Sequence, residues 1–203
     1  MSPDDSSADG PDPRQEVPKD AATVAAELGA RLEELGCRYA IGGALALAYS
    51  SQPRATLDID VTLFISQDEK QQAVEVLEAC PCDFRTSDLL QGFSEHGFAQ
   101  VQYQGIRVDI FLPLNDFYMA AEERRQRVSM AGREVYVWDA ATLCVFKLMF
   151  FRLKDLADIE AILREQGKQL DRTWIGEQVE NLFGKRDPRT TRWQELSDAN
   201  PVY

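Results

Sequence analysis

The stretch RATLDIDVTLF, residues 54–64, contains two aspartates, Asp58 and Asp60, within an apolar segment rich in β-branched residues. This composition predicts a β-strand over residues 57–65. Residues i and i+2 of a strand project from the same face, roughly 6.6 Å apart, so the two carboxylates lie together and the apolar residues fill the other face. Burying a charge is costly unless it is paired. Either the aspartate face is wet, or a cation lies there.

A third acid occurs in GIRVDIFLP, residues 105–113. In this predicted strand the apolar residues alternate with Arg107 and Asp109, which therefore point to the opposite face. If the two strands are neighbours, three carboxylates converge, and they repel one another unless divalent cations hold them. Mg²⁺ is commonly bound by a few carboxylates and substrate phosphates, and two ions about 3.5–4 Å apart clamp a phosphoryl displacement. The alternative is that Asp109 pairs with Arg107 or another base on an exposed face, and the alternation leaves both interpretations open.

The segment IGGALAL, residues 41–47, follows a predicted strand and begins a short helix. Two glycines at such a turn, Gly42 and Gly43, let backbone N–H groups approach an anion at the positive end of the helix dipole. A Gly-Gly pair alone is a common turn. It becomes specific because Arg54, Thr56 and the acid pair follow it.

This order of residues resembles the DNA polymerase β-like nucleotidyltransferase superfamily. Its pattern is a glycine followed by Ser or Gly, an acid-x-acid pair on the next strand, and a third acid on a later strand. The stretch GGALALAYSSQPRATLDIDVTLF, residues 42–64, is most similar to the AbiEii/AbiGii toxin-type bacterial nucleotidyltransferases. The resemblance covers residues 22–166. Its second glycine replaces a serine that contacts phosphate in many members, so that contact would come from the backbone.

The resemblance implies an enzyme that moves a nucleoside monophosphate from an NTP to an acceptor hydroxyl, with two Mg²⁺ ions as cofactors. The implied catalytic and metal-binding residues are Asp58, Asp60 and Asp109, the last also as general base. The implied nucleotide-binding residues are Gly42, Gly43, Arg54, Thr56, Lys147 and Asp158. For Arg54, a phosphate contact and a structural pairing with an aspartate both remain open.

The last two of these residues come from WDAATLCVFKLMFFRLKDLADIEAIL, residues 138–163, which is similar to the toxin group's helical region. There, a lysine on an apolar helix precedes a Lys-Asp-x-x-Asp segment. Lys147 lies among apolar residues, where an ammonium requires an anion. The alternative is a lysine that snorkels at the helix margin. Asp155 and Asp158 also have an alternative, with Asp155 as N-cap of the next helix and Asp158 at its third position.

Hydrophobic periodicity and turn residues predict an α+β fold, with a small mixed β-sheet, flanking helices and a C-terminal helical segment. The resemblance implies that the sheet and its flanking helices form a nucleotidyltransferase core. The predicted strands are 37–41, 57–65, 97–103, 105–112 and 133–138, the third and fourth joined as a hairpin. The predicted helices are 21–35, a short one from Gly43 to before Pro53, 66–79 with a Ser66–Glu69 capping box, 115–127, 140–152, 155–167, 171–183 and 189–197. The predicted divisions are a disordered acidic tail, residues 1–20; the core, residues 21–139; and a helical C-terminal region packed on the core, residues 140–203.

The 203-residue chain has a net charge of −12, which argues against tight, sequence-independent binding of duplex nucleic acid. Its basic clusters are EERRQR, residues 122–127, and GKRDPRTTRW, residues 184–193. Such runs are usually solvated helix faces; the alternative is an RNA-binding patch in which Trp193 stacks on a base. No apolar run is long enough to span a bilayer. The first residues contain no basic stretch followed by an apolar core, so no signal peptide is predicted there. With four irregularly spaced cysteines, we predict a cytoplasmic protein with reduced thiols and no membrane partner.

The acceptor is open between an RNA 3′ end, such as that of a tRNA, a protein side chain and a small molecule. The toxin-type resemblance adds a role in a toxin–antitoxin system, with a cognate antitoxin protein as partner. A hypothesis of a different class is a non-catalytic nucleotide- or partner-binding module on the same fold. The three intact acids favour the enzyme.

Overall fold

A computed structural model describes residues 19–201 of the chain. The strands in this range are β1 (Tyr39–Ile41), β2 (Asp58–Leu63), β3 (Cys82–Asp83), β4 (Phe98–Tyr103), β5 (Ile106–Phe111), β6 (Gln126–Met130) and β7 (Arg133–Val137). The α-helices are α1 (Ala21–Glu34), α2 (Gly43–Leu47), α3 (Lys70–Ala79), α4 (Thr86–His96), α5 (Phe117–Glu123), α6 (Ala140–Phe150), α7 (Leu153–Gln166), α8 (Arg172–Phe183) and α9 (Pro188–Ala199).

The strands form one mixed sheet in the order β3-β4-β5-β2-β1-β7-β6. The β2–β5 and β1–β7 pairs are parallel, and the other pairs are antiparallel. Helix α1 packs against β7, β1 and β2, whereas α2 packs against β2 and α6. The predicted class, an α+β fold with a mixed sheet and flanking helices, is confirmed.

Strand β2 has the two faces that its sequence predicts. Ile59, Val61 and Leu63 are completely or almost completely buried in the main core. Asp58 and Asp60 alternate with them and are only partly buried. The core side of the strand thus supplies the apolar burial that holds the polar side in place.

Several local predictions agree with the structure. Asp20 caps α1, because its carboxylate accepts a hydrogen bond from the Thr23 N–H at 2.7 Å. The β4–β5 hairpin turns at Gln104 and Gly105, which have positive φ angles of 50° and 78°. The four C-terminal helices occupy α6 to α9, close to their predicted bounds. Of the tail predicted to be disordered, residues 1–18 lie outside the described residues, as do residues 202–203 of the C-terminal region.

The helix predicted at residues 115–127 is wrong in its second half. Helix α5 ends at Glu123, and Gln126–Met130 forms β6, which pairs antiparallel with β7 around a turn at Ala131 and Gly132. The charged composition favours helix only weakly, and pairing with a neighbouring strand overrides it.

Three further differences concern short segments. No element was predicted at residues 82–83 or 86–96, where β3 and α4 lie; Leu89 and Phe93 give α4 its buried i, i+4 pair. The predicted capping box is absent, because the Ser66 hydroxyl accepts from the Asp68 N–H at 3.3 Å and residues 67–69 form a 3₁₀ turn. Helix α2 ends at Leu47, well before Pro53.

The RNA-stacking interpretation of the two basic clusters is wrong. Trp193 is only 4% exposed, and its indole lies against Gly176. The arginines and lysine of the clusters are largely paired with acids, as in Arg124–Asp139, Arg125–Glu122, Arg127–Glu33, Lys185–Glu180, Arg189–Asp187 and Arg192–Glu195. The burial of Trp193 removes the proposed stacking side chain. Separately, no helix within residues 19–201 is long and apolar enough to cross a membrane.

Leu57 has the same parity as Ile59 and was expected on the apolar face, but it precedes β2 and is exposed, so the two residues predict different responses to truncation. Ile59→Ala removes a fully buried side chain, and we expect the free energy of unfolding to fall by about 2–5 kcal/mol. Leu57, which precedes β2, is 92% exposed, so Leu57→Ala should change it by no more than about 0.5 kcal/mol. Urea unfolding followed by circular dichroism measures both. Equal losses in the two variants would contradict the burial of Ile59 and the exposure of Leu57.

Candidate active site

The parallel pairing of β2 with β5 brings the three predicted carboxylates together. Asp60 lies opposite Asp109 in the register, and Asp58 lies opposite Arg107. The four side chains line one pocket of about 190 Å³. The condition set by the sequence, that the two acidic strands be neighbours, is therefore met.

Asp58 is held in its charged form by two neighbours. The Thr56 hydroxyl donates a hydrogen bond to its carboxylate, and the Arg107 guanidinium donates another at 2.6 Å. The Thr56 hydrogen bond, with a further contribution from Arg107, keeps the pKa of Asp58 below its usual value. Thr56 thus acts in this structure by fixing the carboxylate.

The surroundings of Asp60 shift its pKa in the opposite direction to that of Asp58. Burial, and then the negative charges of Asp109 and Asp58, raise the pKa of Asp60 to about 6. Helix α2 begins directly against this carboxylate, because a Cβ on Gly43 would lie 1.8 Å from its Oδ2. Gly43 also has a φ of 56°, so both the space and the backbone require glycine.

Asp109 has an incompletely satisfied carboxylate. Its Oδ1 is buried and accepts no hydrogen bond within the described residues, and the nearest base, Arg107 Nε, is 3.5 Å away. Burial raises the pKa of Asp109, an effect that Arg107 partly opposes. This oxygen is therefore buried beside the pocket with an ion-pair contact but no hydrogen bond within the described residues.

The two glycines differ in what their N–H groups can do. The Gly42 N–H donates to the Asp60 carbonyl at 2.8 Å and is therefore engaged by the sheet. Gly43 lines the carboxylate pocket, together with Ala44. Gly43 is the first residue of α2, where backbone N–H groups have no partner within the helix.

Lys147 lies in the same pocket but contacts a different acid. It is 5% exposed, and its ammonium lies 2.5 Å from Asp158 Oδ2, across the α6–α7 contact. Arg54 reaches the same oxygen at 3.4 Å, so of the two roles open for Arg54 the structure contains the aspartate pairing. Helices α6 and α7 are thereby tied to the loop before β2.

The predicted capping roles at the start of α7 are wrong in detail. Arg152 is the N-cap residue, and Asp155 is the third residue of the helix. The buried Asp155 carboxylate accepts from both the N–H and the Nε of Arg152, at 3.1 and 2.6 Å. Asp158 lies in the second turn, where it makes no cap. The helix begins at Leu153, two residues earlier than predicted, so Asp155 and Asp158 lie further inside the helix than the predicted cap positions.

The pocket also contains residues that the sequence did not single out as site residues. They are Ala44, Arg107, Leu143, Phe146, Phe150, Arg152, Lys154 and Asp155. A signal existed for Arg107, which is two residues before Asp109 and therefore on its face. With Arg54 and Lys147, the pocket gathers five basic side chains in a chain of net charge −12. Four carboxylates line the same pocket, so basic and acidic groups are almost balanced there.

A smaller, largely aromatic recess adjoins the carboxylates. It shares Gly43, Asp60, Leu143, Phe146 and Phe150 with the first pocket and adds Gly42, Thr62, Phe111 and Trp138. The recess provides flat apolar walls next to the charged groups.

The carboxylates of the pocket match the ligand chemistry of Mg²⁺. Within residues 19–201, no three His, Cys, Asp or Glu side chains stand arranged to hold a metal ion. The donor chemistry nevertheless fits: carboxylate oxygens are what Mg²⁺ prefers, Asp60 faces Asp109 across the strand pair, and Asp109 Oδ1 lacks a hydrogen-bond partner. Arg107 lies against two of the three acids.

No protein-family model matches this sequence, and no curated protein matches it significantly. Solved structures do. The solution structure of the antibiotic-resistance factor ANT(2'')-Ia is 12% identical, covers 88% of this chain and 95% of its own, and has a TM-score of 0.55. The crystal structure of ANT(2'')-Ia in complex with adenylyl-2''-tobramycin is 14% identical, covers 87% of this chain and 98% of its own, and has a TM-score of 0.54. The crystal structure of an antigenic nucleotidyltransferase-like protein from Paracoccidioides brasiliensis is 16% identical, covers 88% of this chain and 95% of its own, and has a TM-score of 0.47. At these identities the two ANT(2'')-Ia structures show a shared, nucleotidyltransferase-like fold.

The raised pKa of Asp60 predicts a pH-dependent gain from neutralising it. The folded chain favours the protonated acid, so the stability that this group contributes is greatest below about pH 4 and is lost as the pH rises through about 6. In EDTA at pH 7.5, Asp60→Asn should therefore be more stable than the parent by about 1–3 kcal/mol, and the gain should vanish near pH 4. Denaturant unfolding across pH measures this.

Asp58→Asn is the matched control. Because the pKa of Asp58 is lowered, this substitution should reduce stability at pH 7.5. A gain from Asp60→Asn that persists unchanged at pH 4 would show that charge is not its cause.

Proposed function

We propose that this protein is a Mg²⁺-dependent nucleotidyltransferase that moves a nucleoside monophosphate from an NTP to an acceptor hydroxyl. One observation carries the proposal: Asp60 and Asp109 face each other on parallel strands beside Asp58, in a pocket with five basic side chains. A shared fold alone does not specify an activity. The carboxylate–base constellation in this fold supports this chemistry specifically.

The three carboxylates would hold the metal, up to two ions. Their different environments suit them to different further roles. When bound, Mg²⁺ supplies Lewis-acid stabilisation of the negative charge on the transferred phosphate. Asp58, with its lowered pKa, stays ionised. Asp109, with its raised pKa and unpartnered oxygen, is the acid suited to accept a proton from the attacking hydroxyl.

The basic residues would bind the triphosphate. Lys147 and Arg54 share Asp158 as a counter-charge, and Arg152 pairs with Asp155. A triphosphate entering the pocket offers these side chains a more highly charged partner, and the N-terminus of α2 at Gly43 adds backbone donors beside it.

The acceptor would be an RNA 3′ end such as tRNA, a protein side chain or a small molecule. One structure of ANT(2'')-Ia contains adenylyl-2''-tobramycin, which supports the small-molecule class. The toxin-type resemblance of residues 42–64 supports a bacterial, cytoplasmic toxin with an antitoxin partner.

The activity is tested with each NTP, labelled at its α-phosphate, together with Mg²⁺ and total RNA, whole-cell protein or a small-molecule extract in turn. We expect label in one acceptor pool and release of pyrophosphate. Asp109→Asn should reduce transfer by about 10²–10⁴-fold, the contribution of a general base. Asp88 is an exposed acid on α4 that does not line the pocket, so Asp88→Asn should leave transfer unchanged.

Two outcomes would count against this proposal. Full transfer by Asp109→Asn would remove the third acid from the site. NTP stabilisation that is independent of Mg²⁺, with no pyrophosphate from any pool, would instead support the second candidate, a non-catalytic nucleotide-binding module on this fold.

Lys147 provides a second prediction. Lys147→Met keeps the apolar stem and removes the charge, so NTP affinity should fall by about 1.5–3 kcal/mol. Stability should also fall, but by less than the roughly 3–5 kcal/mol lost when a buried pair is broken, because Arg54 still contacts Asp158. Calorimetric titration and denaturant unfolding measure the two effects.

Asp158→Asn is the control for Lys147. It removes the partner and leaves the ammonium, so stability should fall while NTP affinity is retained or increased. Equal losses of NTP affinity in the two variants would make Lys147 a purely structural lysine.

A further inference from the structure

Arg107 contacts two of the three carboxylates from within the pocket. Its Nη2 lies 2.6 Å from Asp58 Oδ2, and its Nε lies 3.5 Å from Asp109 Oδ1. Both acids are fixed by the β2–β5 register. The guanidinium therefore supplies positive charge where a cation shared by these acids would supply it.

No other base within residues 19–201 pairs with the cluster. Lys147 and Arg54 pair with Asp158, and Arg152 pairs with Asp155. Both of these acids lie on α7 and not on the strands. Asp60 itself has no ion-pair partner among the described residues. Arg107 is thus the one direct counter-charge to the acids on the two strands.

The side chain of Arg107 is not enclosed by the core. It is 46% exposed, and it lies on the open side of the sheet, opposite the buried Val108 and Ile110. Leaving the acids would break ion pairs without opening a cavity in the core. A half-exposed arginine has several rotamers available at little packing cost.

We propose that Arg107 is a built-in counter-ion, which occupies the charge position of a divalent cation and is displaced when the cation binds. This inference rests on the proposed function. Once released, the guanidinium remains on the wall of the same pocket, where it contacts the triphosphate. Metal binding and nucleotide binding are coupled through this one side chain, and such coupling is reciprocal.

The proposal differs from a structural role in the sign of one measurement. If Arg107 only holds the strands together, its removal loosens the acids and metal binding weakens or stays the same. If it competes with the cation, its removal tightens metal binding, because a positive charge within a few ångströms of a divalent ion is lost.

The experiment measures Mn²⁺ binding to the nucleotide-free full chain by electron paramagnetic resonance of free Mn²⁺. We expect Arg107→Gln to bind Mn²⁺ about tenfold more tightly than the parent, and Arg107→Lys to resemble the parent because it keeps the charge. In the presence of Mn²⁺, Arg107→Gln should bind NTP about tenfold more weakly. Arg85→Gln, which removes an exposed arginine paired on α4, should change neither affinity.

The outcomes separate this inference from the proposed function. Unchanged or weaker Mn²⁺ binding by Arg107→Gln, with binding still lost in Asp60→Asn, overturns the counter-ion role and leaves the metal site standing. Absence of Mn²⁺ binding in both the parent and Arg107→Gln overturns the metal site and the counter-ion role together. Thermal unfolding of each variant in EDTA verifies that the chains are folded before titration.

Discussion

The structure depends on one constraint, the register of the parallel pair β2 and β5. Ile59 and Val61 of β2 lie beside Val108 and Ile110 of β5 in the buried core. A slip of one residue would turn the aspartates of either strand into that core and the apolar residues out of it. The free energy of apolar burial therefore fixes the register, and the register forces carboxylates to face each other on the opposite side of the sheet.

The three acids consequently share a site but not an environment. Thr56 and Arg107 lower the pKa of Asp58, whereas burial and neighbouring charge raise the pKa of Asp60 and burial raises that of Asp109. Groups whose surroundings push their pKa values apart are typical of sites where charge or protons are handled. A solvent-exposed row of aspartates would show no such separation.

Helices from the C-terminal part of the chain complete the pocket. Leu143, Lys147 and Phe150 of α6 line it, and the Lys147–Asp158 pair joins α6 to α7. Because Arg54 also contacts Asp158, the loop before β2 is attached to these helices by the same acid. A ligand that exchanged partners with Lys147 would therefore act on the contact between the sheet and the helices.

The sequence by itself determined the faces of the elements. Alternation in DIDVTLF placed Asp58 and Asp60 together, the Gln104–Gly105 turn defined a hairpin, and the Gly42–Gly43 pair marked the turn that begins α2. The tertiary structure alone decided the neighbours: that β5 lies beside β2, that Asp158 is the partner of Lys147, that Arg107 lies against two acids, and that residues 126–130 form a strand rather than a helix. The physical reason is that periodicity records which side of an element faces the core, whereas an ion pair or a strand pairing depends on distances between residues far apart in the chain.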